Sequence, residues 1–121
     1  MAHQIDQEKL RHIALTHQGL VKRDPFGRGL EATARAIRHL GYIQIDTISV
    51  VLRAHNHILQ TRVPNYENQH INQLLAERKI FENRFPVAAF RPIQDFRFTL
   101  LHTRKYRAKA SSKWCVCRCW W

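Results

Sequence analysis

The sequence predicts a mainly helical domain with a small amount of β structure, and three observations predict it. Apolar residues recur at three- and four-residue intervals in several separate stretches, the signature of helices with one buried side. The interval shortens to two around residues 42–48, which signals an extended strand with alternating faces. Glycine, proline and asparagine fall between these stretches, where turns belong.

Asp6 is a suitable N-cap for a helix over 6–18, with Leu10, Ile13, Ala14 and Leu20 on its apolar side and Gly19 ending it. Lys22-Arg23-Asp24-Pro25-Phe26-Gly27-Arg28-Gly29 is turn-rich and basic, a loop. A second helix follows at about 30–40, with Leu30, Ala34, Ile37 and Leu40 inward, Arg35 and Arg38 off the stripe, and Gly41 as terminator. In Tyr42-Ile43-Gln44-Ile45-Asp46-Thr47-Ile48, Ile43 and Ile45 point one way while Gln44 and Asp46 point the other. Ser49 is placed to cap a third helix through 50–61, carrying Val50, Val51, Ala54 and Ile58. A Pro64-Asn65 turn leads to a helix over 67–78 with Ile71, Leu74 and Leu75 inward. Residues 80–90 read as a short strand or hairpin broken by Pro86, and Asp95 is placed to cap a last helix. Together with a basic charge balance, this order fits a winged helix-turn-helix arrangement; periodicity alone also allows other small helical folds.

A chain of 121 residues is about one domain's worth of core. Its net charge of +11 suits a polyanion, since each neutralised phosphate releases condensed counterions. The charge is uneven: 1–95 carry thirteen basic and nine acidic residues, whereas 96–121 carry seven basic residues and no acidic one. We therefore divide the chain into a folded part at 1–98 and a basic tail at 99–121, expected to be disordered or foreign to the domain. No apolar run approaches the roughly 18 residues of a membrane helix. The polar start Met1-Ala2-His3-Gln4-Ile5-Asp6 carries no apolar signal core, so the cytoplasm is the expected location.

The most specific stretch is Leu40-Gly41-Tyr42-Ile43-Gln44-Ile45-Asp46-Thr47-Ile48-Ser49-Val50-Val51, followed by Arg53-Ala54-His55. It resembles the AlkZ/YcaQ family of winged-helix DNA glycosylases, which repair alkylated and crosslinked bases. Further matching pieces are Gln18-Gly19-Leu20, Leu59 through Arg62 ahead of Tyr66, Phe81-Glu82, and Pro92 through Phe98. The resemblance covers roughly 7–98, the N-terminal portion of a longer family chain. It implies tandem winged helices around a DNA-binding concavity, and a catalytic Gln-apolar-Asp motif falling on Gln44, Ile45 and Asp46. It also implies double-stranded, damaged DNA as partner, a monomer, and no metal or cofactor.

The chemistry asks for that spacing. Residues i and i+2 of an extended segment share a face, so the Gln44 amide and the Asp46 carboxylate can converge on one water while Ile45 anchors the strand. Hydrolysis of an N-glycosidic bond passes through an oxocarbenium-like sugar, which a carboxylate stabilises while taking a proton from the attacking water. The competing reading makes Gln44 and Asp46 a polar pair at a strand end, with Asp46 or Ser49 capping the next helix.

The chain departs from the family after Phe81-Glu82, where Tyr-Trp and then a histidine are usual and Asn83, Arg84, Phe85 and Pro86 stand here. Its ending from Ser111 to Trp121 does not resemble the family, as expected for a truncated or frame-shifted product. Cys115, Cys117 and Cys119 are too closely spaced, and one too few, for a structural zinc site. His55 and His57, two apart on a helix, do not share a face. His55 fits phosphate contact or helix packing, and Arg53 a phosphate clamp or a surface position. Lys22, Arg23, Arg28, Arg35 and Arg38 are candidate phosphate contacts, against the plainer reading of solvated charges. A non-catalytic winged-helix DNA-binding module and an inactive gene product remain the rival functions.

Overall fold

Five helices and one small antiparallel sheet organise the computed structural model, which describes residues 6–46, 52–84 and 87–109. In chain order these are α1 (Gln7–His17), α2 (Gly29–Leu40), β1 (Ile43–Gln44), α3 (Ala54–Gln60), α4 (Gln69–Ala76), β2 (Ile80–Asn83), β3 (Ala89–Pro92) and α5 (Phe96–Lys109), with one 3-10 turn at Ile93–Asp95. The sheet order is β1-β3-β2, so β3 is central and β1 an edge strand. Ile43 lies opposite Phe90 and Gln44 opposite Ala89, while β2 and β3 form a hairpin registering Ile80 with Pro92 and Asn83 with Ala89. Two helices, a short edge strand, two more helices, a hairpin and a last helix make a mixed α/β arrangement compatible with a winged-helix-like fold.

The core forms where α2, α3 and α4 close over the inner face of the sheet. Ile37, Ile43, Leu59, Val63 and Leu74 are completely or almost completely buried there. Ala32 and Ala36 are small enough to bring α2 close to its neighbours, and both are fully buried. Thr33, between them, spends its hydroxyl on the Gly29 carbonyl at 3.1 Å and meets His70 Nδ1 at 3.2 Å, linking α2 to α4.

Asp6 caps α1 as expected, its carboxylate accepting from the Glu8 amide at 3.3 Å. Gly19 ends that helix with φ +66°. The amides of Gly19 and Leu20 reach back to the carbonyls of Thr16 and Leu15, both at 3.0 Å, the paired closure that a left-handed residue permits. α4 closes in the same way around Arg78, φ 54°, with Arg78 bonded to Leu75 and Lys79 to Leu74.

Three expectations are corrected. The apolar side assigned to α1 is not buried: the helix has no buried residue, and Leu10, Ile13 and Leu20 are 50%, 52% and 44% exposed. The C-terminal end of the helix is held by Arg62 on Gln18 and His39 on His17, while its apolar side stays largely open to solvent. The third helix begins at Ala54, not near 50. Arg53 has extended backbone (φ −61°, ψ 138°) and caps α3 without a side-chain bond; Ser49, Val50 and Val51 lie outside the described residues. β1 is two residues long, prolonged only by a bond from the Ile45 amide to Ala88 O at 2.7 Å.

The helix expected after Asp95 is present as α5 and runs through Lys109, crossing the boundary drawn after residue 98. Pro86 and the three cysteines lie outside the described residues. No helix among the described residues is long and apolar enough to cross a membrane.

Candidate active site

The Gln-Ile-Asp segment occupies the exposed edge of the sheet. Ile43 is buried, Gln44 exposed, and Ile45 and Asp46 half-buried, so the strand presents Gln44 outward while its isoleucines hold it to the core. β1 also packs against α3, and this brings the start of that helix to the motif. Arg53, the α3 cap, is exposed; His55, the second residue of that helix, is 6% exposed and stands edge-on to Phe90 with ring centroids 5.8 Å apart.

Burial pushes the His55 imidazole below its ordinary pKa, the Arg53 cation acts in the same direction, and the Asp46 carboxylate opposes both. Asp46, Arg53 and His55 therefore share one electrostatic neighbourhood. His55 Nδ1 is buried and has no hydrogen-bond partner among the described residues, an uncommon condition for a polar atom in a core. Beside this group lies an open pocket of about 440 Å³. Ile45, Leu52, Ile71 and Phe90 give it apolar walls, and Arg53, Asn68 and Asn72 bring polar groups to it. Asn56 also borders it and is held in place by Tyr66, whose hydroxyl donates to Asn56 Oδ1 at 2.7 Å. Burial raises the Tyr66 pKa to about 12, keeping that hydroxyl a donor.

The remaining candidates lie away from the motif segment, in the loop ahead of α2 and on α2 itself. Lys22 and Arg23 are exposed and form no ion pair among the described residues. Arg28 pairs with Asp24 at 3.3 Å. Arg35 turns back to the loop, its Nε and Nη2 both donating to Phe26 O, at 2.9 and 2.7 Å. Arg38 is exposed. Thus Arg53, His55, Gln44 and Asp46 are gathered around β1 and α3, whereas Lys22, Arg23, Arg28 and Arg35 belong to a second, basic loop region. No group of three or more histidine, cysteine, aspartate or glutamate residues is arranged to hold a metal among the described residues.

Sequence reasoning passed over Asn56 on α3 and Asn68 and Asn72 at the start and on the body of α4, none of which carries a motif. Only the buried contact between Tyr66 and Asn56 would have marked one of them, and ten residues separate that pair.

A family model described as DNA glycosylase AlkZ-like matches residues 37–119, more than half of the chain and including the whole motif segment. The chain belongs to the AlkZ-like DNA glycosylase family. Compared with the resemblance read from the sequence, the match starts later, near the end of α2, and continues past Phe98 and beyond α5 to residue 119, so it takes in most of the ending from Ser111 that the sequence reading sets apart from the family. No solved structure matches the chain. Family membership implies DNA as substrate and a glycosylase-like function, the chemistry for which a carboxylate and an amide on one extended segment are suited.

Proposed function

We propose that the protein hydrolyses the N-glycosidic bond of an alkylated or crosslinked purine in duplex DNA, with Asp46 and Gln44 as its catalytic residues and a winged-helix fold presenting them. The observation that carries this reading is the edge placement of the motif: Gln44 is exposed and Asp46 half-buried on a segment anchored by Ile43. In this reaction the bond between C1′ and the base nitrogen breaks and its electron pair leaves with the base. An N7-alkylated purine is cationic before cleavage and neutral after it, so it departs without a proton from the protein. Asp46 offsets the positive charge that develops on the sugar. As water forms the new bond to C1′, Asp46 accepts its proton, and Gln44 orients that water through its amide.

Arg53, Lys22, Arg23 and Arg38 are assigned to phosphate contact, which gives binding its salt dependence without reading sequence. His55 serves the site from the pocket wall, since its burial leaves little of the ring for a phosphate.

The test is base release from a duplex containing N7-methylguanine. Asp46→Asn keeps the shape but can neither take the proton nor offset the charge. It is expected to slow release by about 10²–10⁴-fold while leaving duplex affinity within a few-fold of the parent. Release at the parent rate would remove Asp46 from the mechanism.

A further inference from the structure

The sheet has a second face, away from the core, and the register of its strands fixes what stands on it. Gln44 lies opposite Ala89, and Phe81 opposite Arg91. Side chains two apart on a strand share a face, as do those directly paired across strands. The register that sets Ile43 against Phe90 brings Tyr42, one residue earlier, level with Arg91. Tyr42, Arg91 and Phe81 therefore form a cross-strand row on the face that carries Gln44. Their contacts agree with this. The guanidinium carbon of Arg91 lies 5.7 Å from the centre of the Tyr42 ring, and Phe81 stands edge-on to Phe96 of α5 with centroids 5.3 Å apart.

Arg91 is half-buried on the central strand with its Nε buried, whereas Tyr42 sits beside the edge strand and is 51% exposed. A guanidinium stacked on an aromatic ring is pre-organised, and its donors match the oxygens of a phosphate. The Tyr42 hydroxyl adds another donor on the same side of the sheet. Gln44 and Arg91 are diagonal neighbours, roughly 7–8 Å apart along such a ladder and within reach of one long side chain. Charge then orders the segment, because Tyr42 precedes Gln44 and Asp46 follows it. A phosphodiester is attracted by the cation at the Tyr42 end and repelled by the carboxylate at the other. The positive sugar of the proposed reaction is favoured near Asp46. One nucleotide carries both groups, separated by a few covalent bonds.

We infer that Arg91 and Tyr42 form a seat for the phosphate flanking the reacting nucleotide, and that this seat positions C1′ against Gln44 and Asp46. The inference rests on the glycosylase reading and goes beyond it. The phosphate contacts assigned above hold the duplex as a whole, whereas this one sets the register of a single sugar against the motif. Loss of the seat therefore acts on the rate of the bound complex more than on affinity.

The test is a set of duplexes carrying N7-methylguanine and one uncharged methylphosphonate, moved in turn through the linkages around the lesion. Binding is read by anisotropy, and base release in single-turnover runs at saturating protein. For the parent, one flanking linkage is expected to stand out: neutralising it slows release by about 10–100-fold, the scale of a misplacement of about 1 Å, and weakens binding only about two- to three-fold. Arg91→Gln is expected to slow release from the all-phosphate duplex to a similar extent and to abolish the difference between that linkage and the others. Arg91→Lys keeps the charge without the planar fork and should recover part of the rate. Tyr42→Phe removes one exposed hydroxyl and is expected to weaken the effect of the same neutral linkage by about two- to ten-fold, the worth of one hydrogen bond. A parent indifferent to the position of the methylphosphonate, or a linkage as sensitive in either Arg91→Gln or Tyr42→Phe as in the parent, overturns the seat. If Arg91→Gln does not fold, Tyr42→Phe decides alone. A parent that binds but releases no base ends the glycosylase reading, and the seat is then judged from the affinities. There, one sensitive linkage that Arg91→Gln abolishes upholds it, and uniform affinities overturn it.

Discussion

Arg62 donates from Nε to the main-chain oxygen of Gln18 at 2.7 Å, across 44 positions of sequence. The same guanidinium reaches Ile58 O at 3.0 Å and Thr61 Oγ1 at 3.1 Å, and the residue is only 7% exposed. Burial pulls its pKa below the ordinary value, yet an arginine remains a cation, so its hydrogen bonds are charge-assisted. It joins the end of α1 to the end of α3.

Replacing it by an apolar chain of similar length tests this role. Arg62→Met is expected to lower stability by about 2–3 kcal/mol, the range for losing hydrogen bonds to a charged group, as read from the urea midpoint. Amide exchange should accelerate first at Gln18–Leu20 and in α1, because the helix buries no residue of its own. Equal acceleration throughout α2–α4 would show that Arg62 supports the whole core rather than this junction.

The turn after α1 gives a second prediction. Gly19 has φ +66°, and a Cβ built there would lie 2.8 Å from Cε2 and Cζ of Phe26. Gly41 has φ +80° with nothing within 4 Å of its Cβ direction. Both positions share the backbone penalty of about 1–2 kcal/mol for an L-residue in the left-handed region, but only Gly19 adds a clash with a ring. Gly19→Ala is therefore expected to lower the melting temperature clearly more than Gly41→Ala, and Phe26→Leu in the same chain should recover part of the difference. Equal losses would mean that Phe26 moves aside without cost.

These two sites show what was legible and what was not. Gly19 and Gly41 could be read as helix ends because glycine is the residue that tolerates the closing conformation. Arg78 makes the same closure at φ 54° and could not be read, since arginine carries no such preference. The alternation in 43–46 placed the isoleucines inward because burial on one face of a strand has a period of two. The start of α3 was misplaced since Val50 and Val51 fit a helical stripe as well as any other apolar surface, and Arg53 breaks the helix without proline or glycine to mark it. Leu10, Ile13 and Leu20 show that a stripe names a face, not the element that covers it. Within the candidate site, Gln44 and Asp46 were visible as a pattern, whereas Asn56 on α3 joins Asn68 and Asn72 of α4 only in three dimensions.

His55 predicts a pH dependence with a definite sign. Its folded pKa lies below the unfolded value of 6.5, first through burial and then through Arg53. As pH falls below about 6.5, the unfolded chain takes up a proton that the folded chain resists, so stability declines toward the lower, folded pKa. Above 6.5 this group contributes no further change. Urea unfolding at a series of pH values should show the parent losing more stability below pH 6.5 than His55→Phe. Parallel curves for the two proteins would mean that His55 titrates alike in the folded and unfolded states.

The last prediction separates cations that are available to DNA from those occupied within the fold. Lys22 and Arg23 are exposed without an ion pair among the described residues, while Arg28 already faces Asp24 at 3.3 Å. Arg35 keeps its charge, but two of its donors are directed at Phe26 O, which removes the fork geometry that a phosphate engages. Each phosphate neutralised contributes about 0.9 to the slope of log affinity against log salt. Lys22→Gln and Arg23→Gln together are expected to shallow that slope by nearly two such increments, with the melting temperature unchanged. Arg35→Gln should show the opposite pattern: a slope shift well under one increment, and a lower melting temperature as the loop at 22–28 loses its attachment to α2. Binding isotherms between 50 and 200 mM salt, about a four-fold range over which such contacts are strongly expressed, distinguish the two. A full-increment change for Arg35→Gln at constant stability would place its guanidinium on the phosphates instead of the loop.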